Sequence, residues 1–178
     1  MTRLYVLDFD DTLIPYDSWG LYLRELLKVY PVRMGFVLLL RKLRLLSRAE
    51  LKRRVTVFVV NRKRLEVFSR QFVQKVAKDI QLPSCLFEEE NKVVLVLSAS
   101  PMCYMKYLGG FMTCHCEVVG SDFVDGEYIE MHGEKKLMFL KLNYPRDKYQ
   151  YVFAMSDSDS DLVWMREFEQ YELIKPQK

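Results

Sequence analysis

Hydrophobic residues gather along this chain in short runs, and three of those runs lead straight into polar residues. Leu4-Tyr-Val-Leu7 enters Asp8-Phe-Asp10-Asp-Thr12. Lys92-Val-Val-Leu-Val-Leu97 enters Ser98-Ala-Ser100-Pro101, and Tyr149-Gln-Tyr-Val-Phe-Ala-Met155 enters Ser156-Asp157-Ser-Asp159-Ser-Asp161. Continuous apolar runs of this length predict strands buried on both faces, as in a parallel sheet. A further strand is predicted over 114–119, and a short final one over 171–174. Asp125-Gly126, inside Phe123-Val-Asp-Gly-Glu-Tyr-Ile129, predicts a hairpin turn.

Between the first two runs the apolar period changes to that of a helix. Asp17-Ser18 can cap a helix over 19–29, and Pro31 permits a second start. Residues 32–46 are basic and rich in leucine. Ser47-Arg-Ala-Glu50 is a capping-box pattern opening a third helix. Residues 55–60 are dense in β-branched residues and also read as strand, but their flanks are helical in composition. Leu65, Phe68, Phe72, Val76 and Ile80 mark a fourth helix. Helices are also predicted from Pro101 to Leu108 (stopping at Gly109-Gly110), from Gly133 to Leu142 and over 162–168. Strand and helix alternate outside the helical stretch. The predicted fold is therefore an α/β parallel sheet formed by residues 1–13 and 83–178, interrupted by an all-helical insert at 14–82.

Composition adds bounds. The 178 residues are 50% hydrophobic and 29% charged, which suits a globular chain with a substantial core. The strongest apolar run, Gly35-Phe-Val-Leu-Leu-Leu40, is too short to span a bilayer. Acidic residues occupy the place of a signal peptide's apolar region, and four cysteines suit reduced thiols, so a cytoplasmic location is expected. Cys114-His115-Cys116 invites a zinc reading, yet alternation along a strand would point His115 away from both thiols. His132 has no evident partner.

Net charge is +3, unevenly spread. Residues 14–90 hold 16 Lys and Arg against 8 Asp and Glu, and the remainder hold 11 against 16. A basic insert is thus joined to an acidic body. Such a face suits an anionic substrate, lipid headgroups or nucleic acid, or is simply a solvated helical surface; of these, nucleic acid is not the expected partner. Likewise residues 32–46 either pack their leucines inward or present a basic amphipathic face to a membrane surface.

The polar residues at the strand ends carry the candidate chemistry. Asp8 and Asp10 are close enough to repel unless a cation, most simply a divalent metal, lies between them. A helix cap accounts for Asp11 and Thr12 but not for Asp8, which belongs to the strand. Ser98, a lysine at a helix start (Lys135 or Lys136), and Asp157 with Asp161 complete a set suited to phosphate and metal. A turn-forming role for Ser98 and a capping role for Asp161 are the structural alternatives.

In this order the residues resemble the haloacid dehalogenase (HAD) superfamily. Asp8-Phe-Asp10-Asp-Thr12 resembles its first motif, D-x-D-x-T, and Ser98 its second. Lys136, in Gly133-Glu-Lys-Lys136, resembles its third, and Asp157 with Asp161 its fourth. Ser156 stands where glycine is frequent in the family. The resemblance implies a HAD-like, Rossmann-like core with an inserted helical cap, as in the phosphoserine-phosphatase-like branch. It implies a phosphatase acting on a small phosphorylated metabolite. Asp8 would be the nucleophile forming an aspartyl-phosphate, and Asp10 the general acid and base. Mg2+ would be held by Asp8, the Asp10 main-chain carbonyl and Asp157, with Asp161 orienting a water or Lys136. Ser98 and Lys136 would hold the phosphoryl group. Asp17 and Arg54 match positions that contact substrate in that branch; both together would suit an amino-acid phosphate, whereas a lipid phosphate would suit a membrane-facing insert. Helix cap and surface charge are their plain readings. A phosphomutase or other phosphotransferase needs the same residues, and a non-catalytic, membrane-peripheral module could share the fold.

Overall fold

The computed structural model describes residues 1–87 and 91–175. Glutamates 88–90, counted in the basic half, and the last three residues of the C-terminal segment lie outside the described residues. Six strands form one sheet in the order β4-β3-β2-β1-β5-β6. They are β1 (Thr2–Leu7), β2 (Lys92–Pro101), β3 (Glu117–Val124), β4 (Glu127–Ile129), β5 (Tyr149–Ser156) and β6 (Gln170–Leu173). All pairings are parallel except the β3–β4 hairpin. Asp125 and Gly126 take φ of 49° and 85° at its turn, the positive values that a tight hairpin demands.

The apolar runs become the middle of this sheet because both of their faces are covered. Tyr5, Leu7, Val94 and Val96 face one hydrophobic cluster. Leu4, Val6, Leu95 and Leu97 face the other, as the two-residue period of a strand requires. The second face is closed by α6 (Glu134–Asn143) and α7 (Leu162–Met165) through Leu140, Trp164 and Met165.

Between β1 and β2 the chain forms four helices: α1 (Ser18–Val29), α2 (Pro31–Lys42), α3 (Arg48–Val60) and α4 (Lys63–Val76). Their buried residues, among them Tyr22, Leu26, Val55, Phe58 and Phe72, share one continuous cluster with the first sheet face. The β-branched stretch 55–60 is thus helical: Leu51, Val55, Phe58 and Val59 have burial to gain at helical spacing. Ser47 caps α3 as its pattern predicts, its hydroxyl accepting the Glu50 N–H at 3.0 Å. Among the described residues no helix is long and apolar enough to cross a membrane.

Several boundaries differ from those expected. β2 continues through Ser98 to Pro101, so Pro101 both ends the strand and caps the helix that follows, in place of lying in its first turn. The following helix, α5, covers only Met102–Met105, and Gly109 and Gly110 lie in a 3-10 turn, Leu108–Phe111. Neither glycine has the positive φ of a helix-ending cap. Cys114, His115 and Cys116 precede β3, so strand alternation does not govern them. All four cysteines are free thiols, and burial pushes Cys103 and Cys116 up to about 12.

Strand order places β2 and β5 on either side of β1, the arrangement that opens a crevice at the carboxyl ends of a parallel sheet. Leu7 lies opposite Val96 and Met155, and the Asp8 N–H donates to the Met155 carbonyl at 2.8 Å. This register brings the residues after all three strands to one edge. β3 approaches closely there: a Cβ on Gly120 would lie 2.3 Å from the Ser100 carbonyl oxygen. Gly120→Ala is therefore expected to force β2 and β3 apart and to lower stability by about 2–3 kcal/mol. Urea denaturation measures this, and a loss below about 0.5 kcal/mol would contradict the close approach.

Candidate active site

Asp8 is the first residue after β1 and is nearly buried. One carboxylate oxygen accepts its neighbour's N–H, from Phe9, at 2.7 Å. The other lies 3.1 Å from Lys136 Nζ and 3.3 Å from the Ser156 hydroxyl. Lys136 reaches it from the first turn of α6. Gly133 makes this possible by taking φ 50° and ψ −117° just before the helix, a conformation open to glycine and hostile to other residues. The adjacent Lys135 points to solvent, so of the two candidate lysines it is Lys136 that enters the site.

Lys136 Nζ is also 2.6 Å from Asp161 Oδ2, which in turn accepts the Ser156 hydroxyl at 2.8 Å. Burial alone would lower the Lys136 pKa, but Asp8 and Asp161 outweigh it and hold the ammonium charged. Burial also opposes the charge on Asp161, yet Lys136 keeps that carboxyl below its usual range. Asp8, with the longer contact, is pushed up to about 7 by burial, against the pull of Lys136. The cluster holds more buried negative charge than one ammonium neutralises.

Asp10 has different company. Asp11 beside it takes φ 52°, a left-handed turn that aspartate tolerates. Phe9 O accepts the N–H groups of Leu13 and Ile14. The loop so formed aims the Asp10 carboxylate at α1 and β2. It accepts the Ser18 N–H at 2.7 Å and the Ser100 hydroxyl at 2.5 Å. Asp10 therefore satisfies the first turn of α1, where Asp17 occupies the cap position without a side-chain hydrogen bond. Burial raises the Asp10 pKa, and both contacts oppose the rise.

These residues line one cavity of about 330 Å³ with Ser98, Ser100, Asp157 and Asp161. Ser98 is buried, and its oxygen accepts the Ser100 N–H at 3.0 Å. Asp157 is partly buried, receives Thr12 Oγ1 at 3.4 Å, and is raised in pKa by burial. Asp17 lies on the rim of the same cavity. Arg54 does not reach it: its side chain binds Glu50 at 2.7 Å on the outer side of α3, beside Arg53. The reason is helical phase, since it is Arg48 and Lys52, one turn apart, that face the cavity. Lys52 is almost fully buried, donating to the Ala99 carbonyl at 2.8 Å and to the Glu130 carboxylate. His132 also lines the cavity and meets the Ser160 hydroxyl at 3.1 Å. Lys52, Arg48, Glu130 and Ser100 had no motif to reveal them; the contacts of α3 with Ala99 and Glu130 show the first three, and the bond to Asp10 shows Ser100.

The model of the haloacid dehalogenase-like hydrolase family matches residues 5–166. The chain belongs to that family. This HAD hydrolase is also similar in fold to a protein of unknown function from Bordetella pertussis Tohama I, with a TM-score of 0.71 and 14% identity over 99% of this chain and 92% of that one. The HAD domain of effector protein Lem4 from Legionella pneumophila aligns at 0.51 with 10% identity, covering 99% and 88% of the two chains. Cytosolic 5′-nucleotidase IIIB bound to cytidine aligns at 0.53 with 14% identity, covering 96% and 72%. At these identities the likeness is one of fold. No curated protein matches the sequence.

Among the described residues no three His, Cys, Asp or Glu side chains form a ready-made metal cluster. The donor set of this HAD hydrolase nonetheless fits magnesium, which takes one or two carboxylates and keeps several waters. Asp8 and Asp157 are two carboxylates raised in pKa by burial, and Asp161 is held by Lys136, Ser156 and Trp164. A divalent ion with its waters would offset the charge that Asp8 and Asp157 carry.

Lys136→Met should leave Asp8 and Asp161 buried without their cation, lowering stability at pH 8 by about 3–5 kcal/mol. The two carboxyls would then bind protons more tightly folded than unfolded, so the deficit should shrink as pH falls towards 5. Urea melts in chelator at both pH values test this; a loss that does not change with pH would refute the charge account.

Proposed function

We propose that this HAD hydrolase is a magnesium-dependent phosphomonoesterase that passes the phosphoryl group through Asp8. The observation carrying this reading is the division of labour between Asp8 and Asp10. Two carboxylates two residues apart receive opposite surroundings: one lies against a buried ammonium, and the other is held by two neutral donors. Environments that separate paired carboxylates in this way assign one to nucleophilic attack and the other to proton transfer.

In the first step Asp8 attacks phosphorus, the phosphorus–oxygen ester bond breaks, and Asp10 gives its proton to the departing oxygen. In the second, Asp10 takes a proton from water as that water attacks the aspartyl-phosphate. Orthophosphate leaves and both carboxyls return to their starting states. A magnesium ion held by Asp8, the Asp10 main-chain carbonyl and Asp157 would offset the repulsion between Asp8 and the incoming dianion. Ser98 donates to a phosphoryl oxygen, and Lys136 supplies fixed positive charge to the transferring group. Burial favours a protonated Asp10; it raises Asp8 as well, and there Lys136 pulls the carboxyl back towards the ionised form that attack requires.

The helices of residues 14–82 act in this reading as a cap that excludes other water. A cavity of about 330 Å³ suits a small substrate. Its lining offers both signs of charge, from Arg48 and from Asp17, while Lys52 and Glu130 are paired with each other. Those signs favour a zwitterionic phosphate ester such as an amino-acid phosphate, with Arg48 in the place expected for Arg54.

The decisive experiment is phosphate release from an aryl phosphate with magnesium. Asp8→Asn should reduce turnover by about a thousandfold or more while the melting temperature is kept. Chelator should stop wild-type turnover and magnesium restore it. Activity that survives Asp8→Asn would refute the nucleophile, and indifference to chelator would remove the metal.

A further inference from the structure

Helix α2 is out of keeping with the rest of the molecule. Met34 is its one buried residue among the described ones. Val32, Phe36, Leu39 and Leu43, the last at the helix end, are 87%, 59%, 50% and 58% exposed. Their spacing puts all four within about 60° of one another around the helix axis. Leu45 extends the stripe: Arg44 takes φ 60°, turning the chain so that Leu45 faces out while Leu46 is buried. Val29 and Val60 add exposed apolar surface at neighbouring helix ends. A continuous apolar stripe of this length marks a contact surface.

The charge around it is of one sign. From residue 26 to residue 49 there are six Lys and Arg and no carboxylate. The ion pairs nearby join Lys28 to Glu25, and Arg53 and Arg54 to Glu50. Arg33, Lys42 and Arg44 have no carboxylate partner among the described residues. Arg33 lies over the Phe58 ring at 4.5 Å, on one side of the stripe, and Lys42 lies on the other.

We propose that α2 and the turn after it form an interfacial docking face for an anionic bilayer. Val32, Phe36, Leu39, Leu43 and Leu45 enter the boundary between headgroups and acyl chains, and Arg33, Lys42 and Arg44 meet the anionic headgroups. Charge selects this occupant over the others. A second copy would bring the same unneutralised cations face to face. A nucleic acid would satisfy the cations but leave the aliphatic stripe against water. An anionic lipid surface answers both. The docking does not depend on the catalytic reading.

Flotation with vesicles tests it. The full chain should bind phosphatidylcholine vesicles containing about 30 mol % phosphatidylglycerol, and bind pure phosphatidylcholine at least about tenfold more weakly. Binding should weaken as salt rises. Phe36→Gln combined with Leu39→Gln should weaken binding about tenfold, and Lys42→Glu severalfold. Met138→Gln with Leu142→Gln, at apolar residues 69% and 82% exposed on α6, should leave it unchanged. All these positions are exposed, and thermal melts establish that each variant folds. No binding to anionic vesicles would overturn the proposal, as would equal binding to both compositions or equal loss in the α6 control. A dimer abolished by the α2 variants would overturn it in favour of self-association.

Discussion

A single ammonium, Lys136 Nζ, sits between Asp8 at 3.1 Å and Asp161 at 2.6 Å in the least exposed part of the site. Removing two carboxylates from water is costly, and one cation does not balance them. The fold is arranged around that constraint. Gly133 adopts a conformation other residues avoid so that α6 can begin where Lys136 reaches β1. Ser156 gives its hydroxyl to Asp161 and approaches Asp8, joining β5 to the same cluster. Trp164 lies 5.6 Å below the ammonium and closes the site towards the second hydrophobic cluster. The negative charge that remains, with Asp157 beside it, is what the proposed divalent ion would offset.

Asp10 connects this centre to the helices. By accepting the Ser18 N–H it stands in for the missing cap of α1, and by accepting the Ser100 hydroxyl it is tied to β2. Ser18 also meets the Tyr104 hydroxyl at 3.0 Å, and Tyr104 stacks with Trp19 and Tyr22. The start of the helical segment is thus fixed by the carboxylate assigned to proton transfer. Movement of α1 would alter the hydrogen bonds that set the proton affinity of Asp10. If these helices close over the site as proposed, closure and proton transfer would be coupled in this way without a separate signal.

The core was legible in the sequence because its signals are local and redundant. Runs such as Leu4–Leu7 and 92–97 have no reading other than buried strand once each is followed by polar residues and then by a helical period. The motif residues were legible for the same reason: each sits at the end of an element, where position in sequence fixes position in space. Lys136 also had a local signal, the Gly133 turn before it. What was not legible depends on how elements pack. Pro101 could open a helix by its own geometry, yet β3 pairs with β2 as far as Ser121 and holds it extended. The placement of Lys52 against Ala99 and Glu130 depends on α3 meeting residues 47 and 78 positions away.

Helix α3 shows how finely that packing decides function. Four of its residues 48–54 are basic, and composition alone cannot rank them. Glu50 breaks the symmetry: three and four residues further on, Arg53 and Arg54 both fall within its reach and are drawn to the outer face. Arg48 and Lys52 are left on the opposite side, where the cavity lies. The capping box that starts the helix therefore also sorts its cations, sending two towards the candidate substrate and two towards the groove beside α2. One carboxylate, placed for a local reason, divides a basic helix between an inner face that can read a small anion and an outer face that adds to the positive field around α2.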